Sequence, residues 1–215
     1  MKTFKFGNTK VYLHHNDLPD SLEFPSEVGI DTETTGLSLV RDRLCLIQIA
    51  FSFDECHIVQ FDSDFFKKKV KAKNLISLLK NKKIKKIFHY ARFDVAILKK
   101  SFGFFCKNIF CTKIASKLVR TYTDKHSLKD LCKEFVGVDL NKTQQSSDWS
   151  SINLTENQLK YASFDVIFLF KIKNALELML KREDRNRLSE NAFNFLESRI
   201  ELDFCGWKDN DIFSH

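Results

Sequence analysis

A chain of 215 residues, of which 43% are hydrophobic, is long and apolar enough to fold around one sizeable core. This composition argues against an intrinsically disordered protein, and no apolar run reaches the roughly 18 residues that a membrane-spanning helix needs. The formal net charge of +7 suits a polyanionic partner, although a solvated lysine-rich surface explains it equally well. We therefore expect a single domain over residues 1–215, with no membrane partner.

The cysteines and the N-terminus both bear on the cellular compartment. Six cysteines are present, and their spacing matches no common zinc-binding pattern. The first residues lack the long apolar stretch of a secretory signal. Free buried thiols in a reducing compartment are the simplest interpretation, which favours a cytoplasmic protein.

The predicted elements begin with strands and then alternate between helices and strands. Strands are predicted at residues 29–31, 44–51, 56–61 and 86–89, with a hairpin turn at residues 54–55. Helices are predicted at residues 75–79, from about Arg92, at 111–119, and at 128–136 with an end at Gly137. Three strands followed by this alternation indicate an α/β fold, a mixed sheet flanked by helices.

The last third of the chain is predicted to be helical. Thr155 and Gln158 have the spacing of a capping box, in which each residue satisfies a free backbone N–H of the other at the start of a helix. The long helix that begins there carries Tyr161 and Asp165. Amphipathic sequence continues beyond it, and we expect a C-terminal helical segment over about residues 171–205.

Two acidic residues, Asp31 and Glu33, lie two positions apart on the first predicted strand. Side chains at i and i+2 of a strand point to the same side, so both carboxylates can share a metal ion. The alternative is an Asx turn at the strand end with surface charge.

Two further acidic residues lie in apolar surroundings. Asp165 precedes the run 166–170, where an unpaired carboxylate would be costly, and Tyr161 lies four residues earlier on the same helix face. Asp94 precedes the apolar stretch 95–98. Because four carboxylates repel one another, a cluster of them favours two divalent cations, Mg²⁺ or Mn²⁺, as in two-metal phosphoryl chemistry. Alternatively, the aromatic residues of this helix only pack in a core and the carboxylates are structural.

In this order, the motifs resemble those of the ribonuclease D-like branch of the DEDD 3′–5′ exonucleases. The first matches D-x-E at Asp31 and Glu33, the second ends in F-D at Asp94, and the third matches Y-x-x-x-D at Tyr161 and Asp165. Tyrosine rather than histidine four residues before the last aspartate is typical of the DEDDy subgroup. The resemblance implies a ribonuclease H-like fold, two metal ions held by the four carboxylates, and a Tyr161 that orients the attacking water.

Further segments resemble nanoRNase C, a family of compact ribonuclease D-like diribonucleases. These segments are residues 87–94, 110–118, 120–124, 144–149 and 206–213. The resemblance implies a metal-dependent exoribonuclease that converts short RNA, preferentially 5′-phosphorylated dinucleotides, to nucleoside monophosphates. It also implies a ring-shaped homo-octamer.

An unperturbed tyrosine ionises at neutral pH at a cost of about 4 kcal/mol, so Tyr161 is expected to act as a neutral hydroxyl.

Several residues are candidates for substrate binding. By resemblance Leu37 lies between the two bases of a dinucleotide, although it could instead pack on the core. His89 and Arg92 are candidates for phosphate contacts, with a structural role for His89 equally open. Thr34 in the first motif is a further candidate. For a 5′ phosphate that is contacted across a subunit interface, the candidates are Tyr122, Lys125, His126 and Lys129. Trp149 is expected to anchor a loop rather than stack on a base.

Two alternative functions stay open from the sequence. One is a general ribonuclease D-like 3′–5′ exonuclease that acts on longer RNA or on DNA with the same metals. The other is a nucleic-acid-binding module without catalysis, which would be expected to lack one of the acidic residues.

Overall fold

The computed structural model describes residues 1–68, 71–141 and 143–214, which form a seven-stranded mixed sheet flanked by helices. The strands are β1 (Lys2–Phe6), β2 (Thr9–His15), β3 (Glu27–Thr34), β4 (Leu44–Ala50), β5 (Glu55–Gln60), β6 (Lys85–Phe88) and β7 (Ile109–Cys111). The α-helices are α1 (Lys73–Lys80), α2 (Ala91–Phe102), α3 (Thr112–Val119), α4 (Leu128–Leu131), α5 (Glu156–Ile167), α6 (Leu169–Arg182) and α7 (Asn186–Phe204). The predicted α/β class is confirmed.

The sheet order is β1-β2-β5-β4-β3-β6-β7, which places β3 near the middle. Strand β3 pairs antiparallel with β4 and parallel with β6. All seven residues of β4 are buried, because helices cover this part of the sheet on both sides. The centre of the core therefore lies next to the strand that carries the first acidic motif.

The predicted elements agree with the structure over most of the chain. The helix that begins near Arg92 is α2, and the predicted helix 128–136 is α4 followed by one π-helical turn, Cys132–Val136. It ends at Gly137, whose φ of 79° is the left-handed conformation that favours glycine. The predicted capping box at Thr155 and Gln158 is present, with both reciprocal hydrogen bonds.

Three strands were not predicted. In the described residues, five strands precede the first α-helix rather than three, because β1 and β2 form an additional antiparallel pair on the edge of the sheet. Strand β1 exposes most of its polar residues, so it carries little of the hydrophobic signal that marks a buried strand. Strand β7 has three residues and runs directly into α3, which is why the predicted helix begins at Cys111 instead of Thr112.

A glycine sets the distance between β3 and α5. A Cβ atom at Gly29 would lie 2.6 Å from the backbone carbonyl oxygen of Val166, so a larger residue would push the helix away from the strand. Since β3 carries Asp31 and α5 carries Asp165, this close approach brings the first and third acidic motifs together.

The six cysteines are free thiols, and all except Cys205 are buried. Of the helices in the described part of the chain, none combines the length and the hydrophobicity that crossing a bilayer requires.

Candidate active site

Three elements deliver the acidic motifs to one cleft. Strand β3 contributes Asp31 and Glu33, helix α2 contributes Asp94, and helix α5 contributes Tyr161 and Asp165. All five side chains line a cleft of about 570 Å³, a volume typical of small-ligand sites. The structure thus brings together the five residues that the sequence singled out for catalysis.

Three of the carboxylates form a tight group. Asp31, Glu33 and Asp165 each offer an oxygen atom, and these atoms lie within 4.8 Å of one another. The fourth carboxylate, Asp94, lies outside this group but close to Asp31. It accepts a 2.7 Å hydrogen bond from the hydroxyl of Thr32, which fixes its orientation.

The carboxyl groups of the cluster are hard to ionise together. Burial raises the pKa of Asp31 to about 7. Burial, followed by the charge of Asp31, also raises the pKa of Glu33 and that of Asp94 above their usual range. The largest charge effects on Glu33 come from Asp31, Asp165 and Asp94, so the repulsion among these carboxylates opposes their ionisation.

This donor set fits divalent cations. All of its donors are carboxylate oxygens, which are the ligands that Mg²⁺ and Mn²⁺ prefer, and their mutual repulsion is what a bound cation relieves. Because the set contains neither a cysteine nor a histidine, it is poorly matched to a structural zinc ion.

Tyr161 lies at the edge of the cluster with its ring 6.0 Å from that of Trp149. Burial, and then the charges of Asp165 and Glu33, raise the pKa of Tyr161 above its usual value near 10. In the metal-free chain these effects favour the neutral hydroxyl of Tyr161. Trp149 is buried, which agrees with an anchoring role rather than an exposed stacking surface.

Leu37 projects from the loop between β3 and β4 into the cleft. Its residue surface is 78% exposed, so the alternative role in the core is wrong. The loop itself is well anchored, because the carboxylate of Asp42 accepts a 2.8 Å hydrogen bond from the backbone of Ser38, and Lys100 on α2 donates to the carbonyls of Val40 and Asp42. An exposed leucine on a fixed loop is a preformed apolar contact for a ligand.

The other residues predicted in or near the acidic motifs also line the cleft. Thr34 donates a hydrogen bond to the carbonyl of Gly36 and so shapes the Leu37 loop. Nδ1 of His89 lies 2.9 Å from the hydroxyl of Thr112. Arg92 forms an ion pair with Asp203, so its charge is already neutralised within the chain.

Tyr122 and His126 do not line the cleft of their own chain. Their loop is held by the buried Arg120, which pairs with Glu134 and donates to the carbonyl of Lys125. Tyr122 is 71% exposed on this loop. The structure of one chain therefore places neither residue at the acidic cleft.

Sequence reasoning missed several residues that line the cleft. They include Thr32, Lys113, Asp203, Lys208 and Asp209. Thr32 could have been noticed, because it lies between the two residues of the first motif. Residues 206–213 were noticed only as part of a resemblance, and the place of residues 203–209 in the cleft depends on how the chain folds back after α7.

Comparison with known proteins agrees with this site. Residues 14–181 match the model of a family described as 3′–5′ exonuclease. A ribonuclease D from Nitrobacter hamburgensis is 32% identical over 177 residues, which cover 82% of this chain and 45% of that protein. A ribonuclease D from Bartonella henselae is 32% identical over 158 residues, or 74% and 37% of the two chains. The chain thus spans less than half the length of these curated relatives.

Solved structures provide matches over nearly the whole chain. Brucella melitensis NrnC with bound Mg²⁺ is 45% identical, with a TM-score of 0.86, and the match covers 95% of this chain and 98% of that one. The same protein bound to pGG is 46% identical, with a TM-score of 0.87 and the same coverage. From the family match, together with the fold and the acidic cleft, this chain belongs to the 3′–5′ exonuclease family.

Proposed function

We propose that this chain is a metal-dependent 3′–5′ exoribonuclease that hydrolyses short RNA, preferentially 5′-phosphorylated dinucleotides, to nucleoside monophosphates. The observation that carries the proposal is the exposed Leu37 in the same cleft as the carboxylates of Asp31, Glu33 and Asp165. The similarity to Brucella NrnC bound to pGG, which extends over 95% of this chain, supports a dinucleotide as the preferred substrate.

Four carboxylates, those of Asp31, Glu33, Asp94 and Asp165, would hold two divalent cations, Mg²⁺ or Mn²⁺. When bound, the cations supply positive charge and Lewis acidity at the scissile phosphate. The chain contributes the geometry: Thr32 orients Asp94 by its hydrogen bond, and the contact at Gly29 keeps α5 close to β3.

The remaining roles follow from the positions of the side chains. Tyr161, kept neutral by its surroundings, presents a hydroxyl that orients the attacking water. Leu37 packs against the bases and so favours a substrate that ends at its side chain. Thr34 and His89 are placed along the cleft to contact the substrate, whereas Arg92 acts mainly through its pair with Asp203.

We also propose that the active form is a cytoplasmic homo-octamer. The exposed Tyr122 and the neighbouring His126 would then face the cleft of an adjacent subunit and contact the 5′ phosphate. Light scattering coupled to size-exclusion chromatography tests the assembly, with an expected mass of eight times the 25.2 kDa of one chain. A monomer at micromolar concentration would contradict this assembly.

The reaction is tested with RNA and DNA dinucleotides of the same sequence, with and without EDTA, and with Asp165→Asn as the inactive control. We expect nucleoside monophosphates from the RNA substrate in Mg²⁺ or Mn²⁺, and no product with EDTA or with the variant. Equal hydrolysis of DNA would contradict the ribonuclease assignment, while no hydrolysis of either substrate would contradict the proposed activity.

A general 3′–5′ exonuclease on longer RNA or on DNA is the second candidate. It is favoured by the similarity to proteins named ribonuclease D, although this chain matches less than half of their length. Substrate length separates the two candidates. A cleft that contacts few phosphates also predicts a weak dependence of binding on salt, whereas a long-RNA enzyme would show a steep one.

A further inference from the structure

The basic side chains of the cleft differ in how far they are already neutralised. Those among the described lining residues are Arg92, Lys113, Lys129 and Lys208. Arg92 and Lys129 form ion pairs with aspartates at 2.6 and 3.1 Å, and Lys113 lies 4.3 Å from the centre of an aromatic ring. Of these four, Lys208 alone has neither a carboxylate nor an aromatic partner among the residues that the structure describes. Its charge is therefore the most available to an anionic ligand.

Lys208 lies beyond the end of α7, where the chain turns back at Gly206. The φ of Gly206 is 100°, a conformation that favours glycine. Two arginines hold the chain after the turn. Arg92 donates a 2.7 Å hydrogen bond to the carbonyl oxygen of Lys208, and Arg199 donates to that of Trp207. The backbone at Lys208 is thus held by Arg92, which lies in the second acidic motif, and by Arg199 on α7.

Both arginines share one carboxylate, that of Asp203. Asp203 accepts bonds of 2.6 and 2.7 Å from Arg92 and a bond of 2.7 Å from Arg199. Its side chain is only 3% exposed. Burial opposes ionisation, but the hydrogen bonds from the two arginines hold the pKa of Asp203 below its usual range. We call Arg92, Arg199 and Asp203 the tail clamp, because together they fix the segment that carries Lys208.

A second contact keeps the tail in place further along. The ring of Phe213, which is itself 78% exposed, lies 6.2 Å from that of Phe195, so the end of the tail lies beside α7. The hydrogen bonds from Arg92 and Arg199 are therefore the main contacts that set the position of Lys208.

We propose that Lys208 binds a phosphate of the substrate and that Asp203 is the positioning residue that places it at the cleft, an inference that rests on the proposed function. The acidic cluster repels a nucleotide anion until cations neutralise it, so the cleft needs positive charge from its other wall. An ammonium group without an internal partner makes a charge-assisted hydrogen bond to phosphate without first breaking an ion pair.

Equilibrium binding of a 5′-phosphorylated RNA dinucleotide in Mg²⁺ tests this directly, with all variants made in an Asp165→Asn background so that the ligand survives. Lys208→Ala is expected to weaken binding about tenfold, the loss of one hydrogen bond to a charged group. Lys208→Arg should stay within about threefold of the parent because it restores the charge. Lys171→Ala, an exposed lysine on α6, is the matched control and should bind like the parent.

The positioning role is tested by a double-mutant cycle. Asp203→Asn should weaken binding to a similar degree as Lys208→Ala, and the double variant should bind no more weakly than either single variant. Arg199→Gln loosens the same segment if Asp203→Asn does not fold. In the active enzyme, each change should raise KM and leave kcat within about twofold, as for lost binding alone.

Two results would overturn the inference. If Lys208→Ala binds within twofold of the parent, the lysine does not contact the substrate. If the effects of Asp203→Asn and Lys208→Ala multiply, Asp203 does not act through Lys208. Failure of the proposed function is a separate result: it would show as a wild-type chain that hydrolyses no RNA, while the binding comparison would still decide the role of Lys208.

Discussion

The hydroxyl of Thr32 donates a 2.7 Å hydrogen bond to the carboxylate of Asp94, a residue 62 positions away in sequence. This bond joins β3 to α2 across the floor of the cleft. It orients the carboxylate that lies outside the tight group formed by Asp31, Glu33 and Asp165. Residues that orient metal ligands in this way commonly affect metal affinity as strongly as some of the ligands do.

Replacing Thr32 by valine should therefore raise the Mg²⁺ concentration needed for half-maximal activity by about 10- to 100-fold. Valine keeps the shape of the side chain but removes the donor. Thr32→Ser keeps the donor and is the matched control, which should stay close to the wild type. The measurement is an Mg²⁺ titration of dinucleotide hydrolysis, and equal Mg²⁺ requirements for the two variants would show that the hydrogen bond does not matter.

The acidic cluster predicts a pH dependence for the metal-free protein. The pKa of Asp31 rises from 3.8 to about 7 on folding, so the folded state binds more protons between these values. The contribution of Asp31 to the free energy of unfolding is therefore constant below pH 3.8. It decreases as the pH rises from 3.8 to about 7, so ionised Asp31 destabilises the metal-free fold. In EDTA, Asp31→Asn should increase the melting temperature, and more so at pH 8 than at pH 5.

The same melting experiment has an internal check. Mg²⁺ should stabilise the wild type more at pH 8 than at pH 5, because the ionised carboxylates are the ones that bind it. Asp203→Asn is a useful comparison, since its carboxylate pairs with arginines and should be stabilising when ionised. A gain in melting temperature from Asp31→Asn that is larger at pH 5 would contradict the assigned direction.

Tyr161→Phe should reduce kcat by about 10²-fold while leaving the fold intact. The ring remains to pack near Trp149, so only the hydroxyl that orients the water is lost. Stopped assays of the variant and the wild type in Mg²⁺ measure the effect, and a kcat within threefold of the wild type would exclude the role.

Leu37→Ala should lower the preference for dinucleotides by roughly tenfold, the value of burying a leucine side chain against a ligand. The melting temperature should not change, since Leu37 is 78% exposed. Val40→Ala is the matched control, because Val40 is an exposed residue of the same loop that does not line the cleft. If the two variants behave alike with substrates of different length, Leu37 does not measure length.

The sequence predicted the part of this site that follows from local periodicity. Asp31 and Glu33 share a strand face, and Tyr161 and Asp165 share a helix face, so each pair could be placed before the structure was known. The resemblance of the motifs to those of the 3′–5′ exonucleases then predicted that both pairs belong to one site. The side chains of these residues do meet in one cleft, while their catalytic roles stay predictions.

The rest of the site depends on long-range packing that has no local pattern. The pair between Arg92 and Asp203 joins residues 111 positions apart, and it gives Arg92 a partner where the sequence suggested only a phosphate contact. The exposed position of Leu37 follows from the anchoring of its loop by Asp42 and Lys100, which cannot be read from either residue alone.

The most direct test of the proposed function is a time course with 5′-labelled RNAs of two to seven nucleotides in Mg²⁺ or Mn²⁺, with Asp31→Ala as the inactive control. We expect the dinucleotide to disappear far faster than any longer RNA, because the proposed packing of Leu37 against the bases favours a substrate of two nucleotides. Stepwise shortening of the heptamer at a rate similar to that of the dinucleotide would contradict the diribonuclease assignment and identify a general trimming exonuclease.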